Sequence, residues 1–468
     1  MPGQDETPLA SAAEAYLADE AVVPFTTPGH KRSAHLADGL LRHDLPLSTG
    51  ADDLHLSHDV LGRAERLAAE LWDADLCRFC LNGATEGNQA LALAVARPGQ
   101  RVVASRNLHK SVFGGLVLAG LEPVWVRPEV DRATGLPRAV PAVRVEDALR
   151  RTPDVGAAFL VEPSYVGVLS DVERIADACH ALGAPLVVDQ AWGAHLGFHP
   201  DVPAHTLALG ADAMVTSAHK TLAAFTQGAY LFARGGRIDL ERVSDAFDAL
   251  HTSSPSAAIL ASLDRTRRLM AARGDELVGG AVRLARAVRA RLAKVEGLVV
   301  ADSHDPTKLV LALAKTGADG LEVERDLWED GVRVELANRD TIVPLLTIGD
   351  TEASVARLAD SLLRSLERRR GEPRPPGGAS AVWSVEPEVA MSPRDAFFAK
   401  REAVRAERAV GRVAAETIAP YPPGIPAIAP GELIRRGLLD ALREARAAGT
   451  RMAACADPSL ATLRVIAA

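Results

Sequence analysis

Short apolar runs that alternate with amphipathic helical patterns predict an α/β fold: a mainly parallel central sheet in a large domain, with smaller α+β domains toward the C-terminus. Three observations carry this. Val102-Val103-Ala104, Ala157-Ala158-Phe159-Leu160-Val161, Leu186-Val187-Val188 and Ala213-Met214-Val215 are apolar stretches too short for helices. Helix-period patterns separate the later ones, leaving room for strand–helix–strand crossovers. Each run stops at a polar cluster, and parallel strands joined by helices gather their C-terminal ends on one sheet edge, where ligands bind.

The chain has 468 residues, more than one ordinary core accommodates, so two or three domains are expected. A hydrophobic content of 48% with 24% charged residues fits a globular, soluble protein. A net charge of −8 argues against a general nucleic-acid binder, and the basic run Arg364 to Arg374 reads as a solvated helix end and linker. No stretch of about 20 apolar residues occurs, so no membrane span is expected. The acidic N-terminus carries no signal pattern, which points to the cytoplasm. Cys77 and Cys80 form a single C-x-x-C with no second pair at zinc spacing, so they are read, with Cys179 and Cys455, as reduced cysteines, and no metal site is expected.

Residues 1–62 read as an irregular N-terminal arm. Pro24-Phe25-Thr26-Thr27-Pro28-Gly29-His30-Lys31 cannot be helical around its prolines. Asp52-Asp53-Leu54-His55-Leu56-Ser57-His58 reads as a loop covering a site or a partner subunit. Residues 63–270 read as the large domain. Its first helix, about Arg63 to Ala74, puts Ala64, Leu67, Ala68 and Leu71 on one face. In Asn82-Gly83-Ala84-Thr85-Glu86-Gly87-Asn88, Gly83 allows a tight turn and Thr85 is expected to cap a helix from Glu86 to Ala96. Such a helix start offers free N–H groups to a phosphate.

Arg106-Asn107-Leu108-His109-Lys110-Ser111 follows the Val102 strand, and the His109 imidazole can stack on a flat ring or serve as a hydrogen-bonded loop histidine. Asp171 caps a helix with Val172, Ile175, Ala176 and Cys179 inward. Ala229-Tyr230-Leu231-Phe232 closes the strand set. Residues 271–370 form a smaller domain with strands at Gly297–Ala301, Leu309–Leu313 and Thr341–Leu346. Residues 371–380 are a linker rich in Pro and Gly. Residues 381–468 read as a largely helical segment interrupted by the rigid loop Pro420-Tyr421-Pro422-Pro423-Gly424-Ile425-Pro426.

Asp189 ends one buried strand, and Lys220 follows another, 31 residues later. One crossover fits that spacing, so both side chains can face one pocket. Alone, Asp189 reads as a helix cap and Lys220 as a surface lysine. Together, an aspartate that keeps a pyridine nitrogen protonated and a Schiff-base lysine are the protein's side of pyridoxal phosphate chemistry, with Ser217 available to bond a phosphate oxygen.

In these motifs the chain resembles the Orn/Lys/Arg decarboxylase family, in its short form without an N-terminal receiver-like domain. The resemblance runs nearly end to end. It covers Pro28-Gly29-His30-Lys31, the Asn82 to Asn88 turn, Arg106 to Ser111, the Asp189 strand, Ser217-Ala218-His219-Lys220, Ser254-Pro255-Ser256 with Ala261-Ser262-Leu263-Asp264, and Tyr421 to Pro426. It implies a fold of pyridoxal phosphate type I and decarboxylation of arginine, lysine or ornithine. It implies that Lys220 carries the cofactor, Asp189 pairs with its pyridinium nitrogen and His109 stacks on the ring. Ala84, Thr85, Ser217 and His219 would surround the phosphate or its edge, Ala191 and Trp192 would adjoin the cofactor, and Thr252 would reach the phosphate of a neighbouring subunit. The active unit would then be a homodimer, or an assembly of dimers, with shared sites.

Three positions depart from the family pattern. Gln190-Ala191-Trp192 stands where many short members have Glu-Ala-His. Ala257 replaces a common aromatic residue, and Ala84 occupies a hydroxyl-compatible place in the phosphate turn. The rivals are an aminotransferase or aldolase on the same fold, and a non-catalytic regulatory homologue. Glu416 and Glu432, flanking the proline loop, are candidates for holding a basic substrate's head group, the alternative being exposed acids.

Overall fold

The computed structural model describes residues 3–19, 21–23, 25–31, 44–45, 59–131, 135, 137–375, 382–383, 385–421 and 424–467. Its centre is a seven-stranded sheet of β1 (Leu76–Cys80), β2 (Arg101–Ser105), β3 (Glu122–Val126), β4 (Ala158–Val161), β5 (Leu186–Asp189), β6 (Ala213–Thr216) and β7 (Ala229–Ala233), in the order β1-β7-β6-β5-β4-β2-β3. All strands are parallel except β7, which runs antiparallel to β1 and β6. Val187 lies opposite Ala213 and Asp189 opposite Val215, so β5 and β6 end side by side.

Both faces of this sheet are buried, as near-continuous apolar strands require. In β7, Tyr230 and Phe232 pack with Trp72 and Phe79 on one face, while Ala229, Leu231 and Ala233 pack with Leu91, Leu116 and Phe159 on the other. Trp72 is fully buried, stacked on Phe232 and edge-on to Phe198.

A four-stranded antiparallel sheet follows: β8 (Val299–Val300), β9 (Leu311–Ala312), β10 (Leu336–Asn338) and β11 (Thr341–Val343), ordered β10-β11-β9-β8. Helices Gly320–Glu329 and Glu352–Arg368 pack against it through Val323, Leu327, Leu358 and Leu362. β10 and the Gly320 helix were not expected from sequence.

The segmentation differs from expectation in five places. The N-terminal arm holds a helix, Pro8–Ala18, opened by Pro8 at its first turn, which suits proline's fixed φ. Its Leu9 and Ala10 N–H groups donate to Asp264. The next helix starts at Val60 rather than Arg63, and the expected loop Asp52 to His58 lies outside the described residues. The expected boundary between residues 270 and 271 falls inside one 36-residue helix, Ala257–Leu292. That helix packs Leu260, Leu263 and Met270 under the large sheet and Val288 and Leu292 under the small one.

The expected linker begins docked. Arg374 donates to the Gly317, Ala318 and Arg339 carbonyls and to Asp340, while residues 376–380 lie outside the described set. The C-terminal segment is mixed rather than largely helical: Arg401–Arg405 pairs with Thr462–Ile466, and Ala419–Tyr421 with Arg451–Ala453. In Thr462–Ile466, Leu463 and Val465 are buried while Thr462 and Arg464 are exposed, the period-two pattern of a half-buried strand. Among the described residues, no helix is long and apolar enough to cross a membrane.

Candidate active site

The C-terminal ends of β4, β5 and β6 open onto a cavity of about 290 Å³. Nine of the ten residues expected around the cofactor line it: Ala84, Thr85, His109, Asp189, Ala191, Trp192, Ser217, His219 and Lys220. Thr252 does not; it is exposed, and its hydroxyl accepts from the Ser254 N–H within its own loop.

One wall is the start of helix Gly83–Val95. Gly83 takes φ +66°, and its N–H donates to the Gln227 carbonyl at 2.9 Å. The helix therefore begins at Gly83, and Thr85 sits inside its first turn instead of capping it. The reaching group is Glu86, whose Oε2 accepts from the Leu81 and Asn82 N–H groups at 2.8 and 3.3 Å. Its other oxygen holds His251 Nδ1 at 2.8 Å, pinning the run that carries Thr252 beside this turn. The remaining first-turn N–H groups have no acceptor within the helix.

Asp189 is 4% exposed. Its Oδ2 accepts from Asn88 Nδ2 at 2.8 Å, and its Oδ1 from the Ala191 N–H at 3.0 Å. Asn88 also donates to Ser111 Oγ at 3.0 Å, and Ser111 Oγ lies 2.9 Å from His109 Nδ1. The Ser111 N–H donates to that same Nδ1, so Nε2 carries the proton of the neutral ring. Burial, with a smaller effect of the Lys220 charge, pushes the His109 pKa down against the pull of Asp189.

Lys220 follows β6 in the one-turn helix Ala218–Thr221. Its Nζ stands 4.2 Å from the Trp192 ring centroid. Burial lowers its pKa, opposed by the charges of Asp189 and Glu335. His219 Nδ1 lies 2.9 Å from the Gly228 carbonyl; a carbonyl only accepts, so Nδ1 bears the proton. Burial also lowers the His219 pKa. Gln190 is fully buried and faces away from the cavity, with its amide bonded to the Gly193 carbonyl and the Thr206 N–H. That departure from the family pattern is structural, whereas Trp192 is part of the wall.

Gly424 and Ile425 of the proline loop complete the lining. The loop is anchored by Arg106, which meets Glu432 at 2.9 Å and faces the Trp125 ring. Glu432 is thus spent on a buried ion pair. Glu416 accepts from the Ala456 and Arg464 N–H groups. Neither lines the cavity, so neither is placed to hold a substrate head group there. Sequence reasoning missed Asn107 and Tyr165, which line the cavity with Asn107 Oδ1 and Tyr165 Oη buried and without hydrogen-bond partners among the described residues. It also gave no role to Lys308, whose Nζ lies 4.2 Å from the Trp192 ring without lining the cavity, or to Glu335, whose charge acts on Lys220.

Such a cavity, at the carboxyl edge of a mainly parallel sheet, with a lysine, an aspartate and two histidines whose pKa values burial lowers, marks the class of α/β proteins that bind ligands at their strand ends. Solved structures share the fold. The Francisella novicida lysine decarboxylase LdcF matches with a TM-score of 0.83 at 20% identity, over 98% of this chain and 81% of that one. A structure described as SPT with PLP matches with a TM-score of 0.55 at 14% identity, over 69% of this chain and 82% of that one.

The sequence model for the Orn/Lys/Arg decarboxylase major domain matches residues 7–304, and that for the C-terminal domain of the same proteins matches residues 378–452. An arginine decarboxylase of Halalkalibacterium halodurans is 34% identical over 100% of this chain and 99% of its own length. The chain belongs to the Orn/Lys/Arg decarboxylase family.

Proposed function

We propose that the protein is a pyridoxal phosphate-dependent decarboxylase of a basic amino acid, with arginine the first candidate because a full-length arginine decarboxylase is the relative at 34% identity. The observation that carries the reading is the meeting of Asp189 and Lys220 in one cavity with a phosphate-competent helix start. The residues fit the cofactor on three counts: an anion-accepting first turn at Ala84 and Thr85, a fixed carboxylate at Asp189, and a lysine without a carboxylate partner among the described residues at Lys220. Bound pyridoxal phosphate supplies an electron sink for the electrons of a broken bond at the substrate's Cα.

The chain's own residues do the rest. Lys220 would carry the cofactor and yield its place to the substrate amine. Asp189, held by Asn88 and the Ala191 N–H, would keep the pyridine nitrogen protonated. His109 would cover the ring, its tilt set by Ser111. Ser217, Thr85, Ala84 and His219 would surround the phosphate or its edge, and Ala191 and Trp192 would adjoin the cofactor. When the bond to the carboxylate breaks, CO₂ leaves and a proton must return to Cα. Lys220, made more acidic by burial, and His219 are the two donors at hand.

The reading extends to a homodimer in which Thr252 serves the partner's phosphate, supported by its exposure and its absence from the lining of its own chain's cavity. A cytoplasmic location and a di- or polyamine-precursor product rest on the family alone. The test is a panel of arginine, lysine, ornithine and neutral amino acids with purified, cofactor-loaded protein. CO₂ and the matching amine from a basic amino acid support the proposal. Keto acid without CO₂, or no turnover with cofactor bound, overturns it.

A further inference from the structure

Lys308 is 5% exposed, yet among the described residues its ammonium meets no carboxylate within 4 Å and donates no hydrogen bond. A lysine buried to this degree with no carboxylate partner is disfavoured by the loss of solvation. The nearest acid is already used. Asp305 accepts from Thr307 Oγ1 and the Thr307 N–H at 2.7 and 2.9 Å and sits 3.0 Å from His195 Nε2. The backbone around Lys308 is fixed, with its N–H donating to the Asp305 carbonyl and its carbonyl accepting from Arg289. The stem packs beside Gly167, where an added Cβ would meet Lys308 Cγ at 2.5 Å.

The ammonium comes to rest 4.2 Å from the Trp192 ring centroid, the same distance as Lys220 Nζ. Tyr165 stands edge-on to that ring at 5.6 Å, its hydroxyl buried and without a hydrogen-bond partner among the described residues. Tyr165 and Trp192 line the cavity; Lys308 is not itself in the lining, but its ammonium reaches the Trp192 ring that is. Burial raises the Tyr165 pKa, so it remains a donor. Burial pushes the Lys308 pKa down to about 8, opposed first by Asp305, which leaves it mostly charged at neutral pH.

We propose that Lys308 and Tyr165 form the subsite for the substrate's α-carboxylate, on the Trp192 side of the cavity. This deepens the decarboxylase reading and rests on it. An amino acid whose amine takes the place of the Lys220 amine has its carboxyl carbon about 2.5 Å from that nitrogen. A charge-assisted contact adds about 2.8 Å. Both ammonium groups lie 4.2 Å from the Trp192 ring centroid, and Lys308 is close enough to Lys220 to feel its charge, so a carboxylate beside that ring is attracted to Lys308.

The chemistry makes the role specific. A carboxylate is fully charged in the bound substrate and loses that charge as CO₂ forms. A cation beside it holds the ground state more strongly than the transition state, so its removal weakens binding without slowing the bond-breaking step.

The test uses the cofactor-loaded enzyme and the amino acid that the wild type decarboxylates. Lys308→Met should raise KM about 30-fold or more with kcat within about threefold, and Tyr165→Phe should raise KM about fivefold, as expected for charged and neutral contacts. By calorimetry, neither change should alter the dissociation constant of the product amine, which lacks the carboxylate, by more than about twofold. Lys308→Arg, which keeps the charge, should restore most of the affinity. With wild type alone, the substrate's methyl ester should bind at least tenfold more weakly than the free acid. Equal weakening of amine and amino acid, a fall in kcat at constant KM, or an ester that binds as well as the acid overturns the subsite. These results differ from failure of the decarboxylase reading, in which wild type itself releases no CO₂.

Discussion

Asn88 Nδ2 donates to Asp189 Oδ2 at 2.8 Å, joining the helix of the phosphate turn to the aspartate at the end of β5. The same amide reaches Ser111, and through it His109. One side chain thus aligns the expected pyridine-nitrogen partner and the expected ring cover. Asn88→Ala leaves an Asp189 oxygen without its donor and frees Ser111. We expect cofactor binding to persist while turnover falls about tenfold, a typical cost of losing one orienting hydrogen bond. Unchanged kcat would show that Asp189 needs no such support.

Removing the charge of Asp189 itself should cost more. Asp189→Asn keeps the shape and the Ala191 N–H contact but weakens the hold on a pyridinium proton. Turnover should fall on the order of 100-fold or more, as for other preorganised electrostatic contacts, with cofactor still bound by absorbance. Near-wild-type turnover contradicts the assignment.

Much of this site was legible in the sequence because it depends on strand ends. The apolar runs before Asp189 and Ser217 fix strands, parallel strands share an edge, and so His109, Asp189 and Lys220 converge. Tyr165 lies in the polar cluster after β4 but was given no role, and Lys308 carries no strand-end signal: its position depends on how the small antiparallel sheet packs against Val166 and Val168, which local pattern does not encode. Thr85 was misread as a cap because Gly83, at φ +66°, starts the helix three residues early. The 36-residue helix Ala257–Leu292 runs across the expected boundary at 270, and its apolar stripe serves two cores without a break.

Glu162, 1% exposed at the end of β4, gives a stability prediction. Burial raises its pKa to about 8, against the hydrogen bonds from Ser170. In the unfolded chain the same group titrates near the ordinary glutamate value. The folded state therefore binds the proton more tightly, and this contribution to stability is full below the unfolded value and lost as pH rises through about 8. Glu162→Gln mimics the protonated acid. Its melting temperature relative to wild type should climb from pH 5 to pH 8 and then level off, by up to a few kcal/mol in stability. A difference that stays flat across that range contradicts a raised pKa.

The shared-site reading of Thr252 is tested by complementation. Inactive Lys220→Ala mixed with a Thr252 variant defective in cofactor retention forms a heterodimer with one intact site if Thr252 acts across subunits. Activity should then reappear on subunit exchange. Verified heterodimers no more active than the Thr252 parent place its action within its own chain.

The central claim is that Lys220 carries the cofactor, and the neighbouring Lys308, equally close to Trp192, makes the question sharp. Borohydride reduction of the cofactor-loaded wild type, followed by peptide mass mapping, tests it directly. The added cofactor mass should fall on the peptide containing Lys220 and be absent from Lys220→Ala. Label on Lys308 or any other lysine in the wild type would contradict the account.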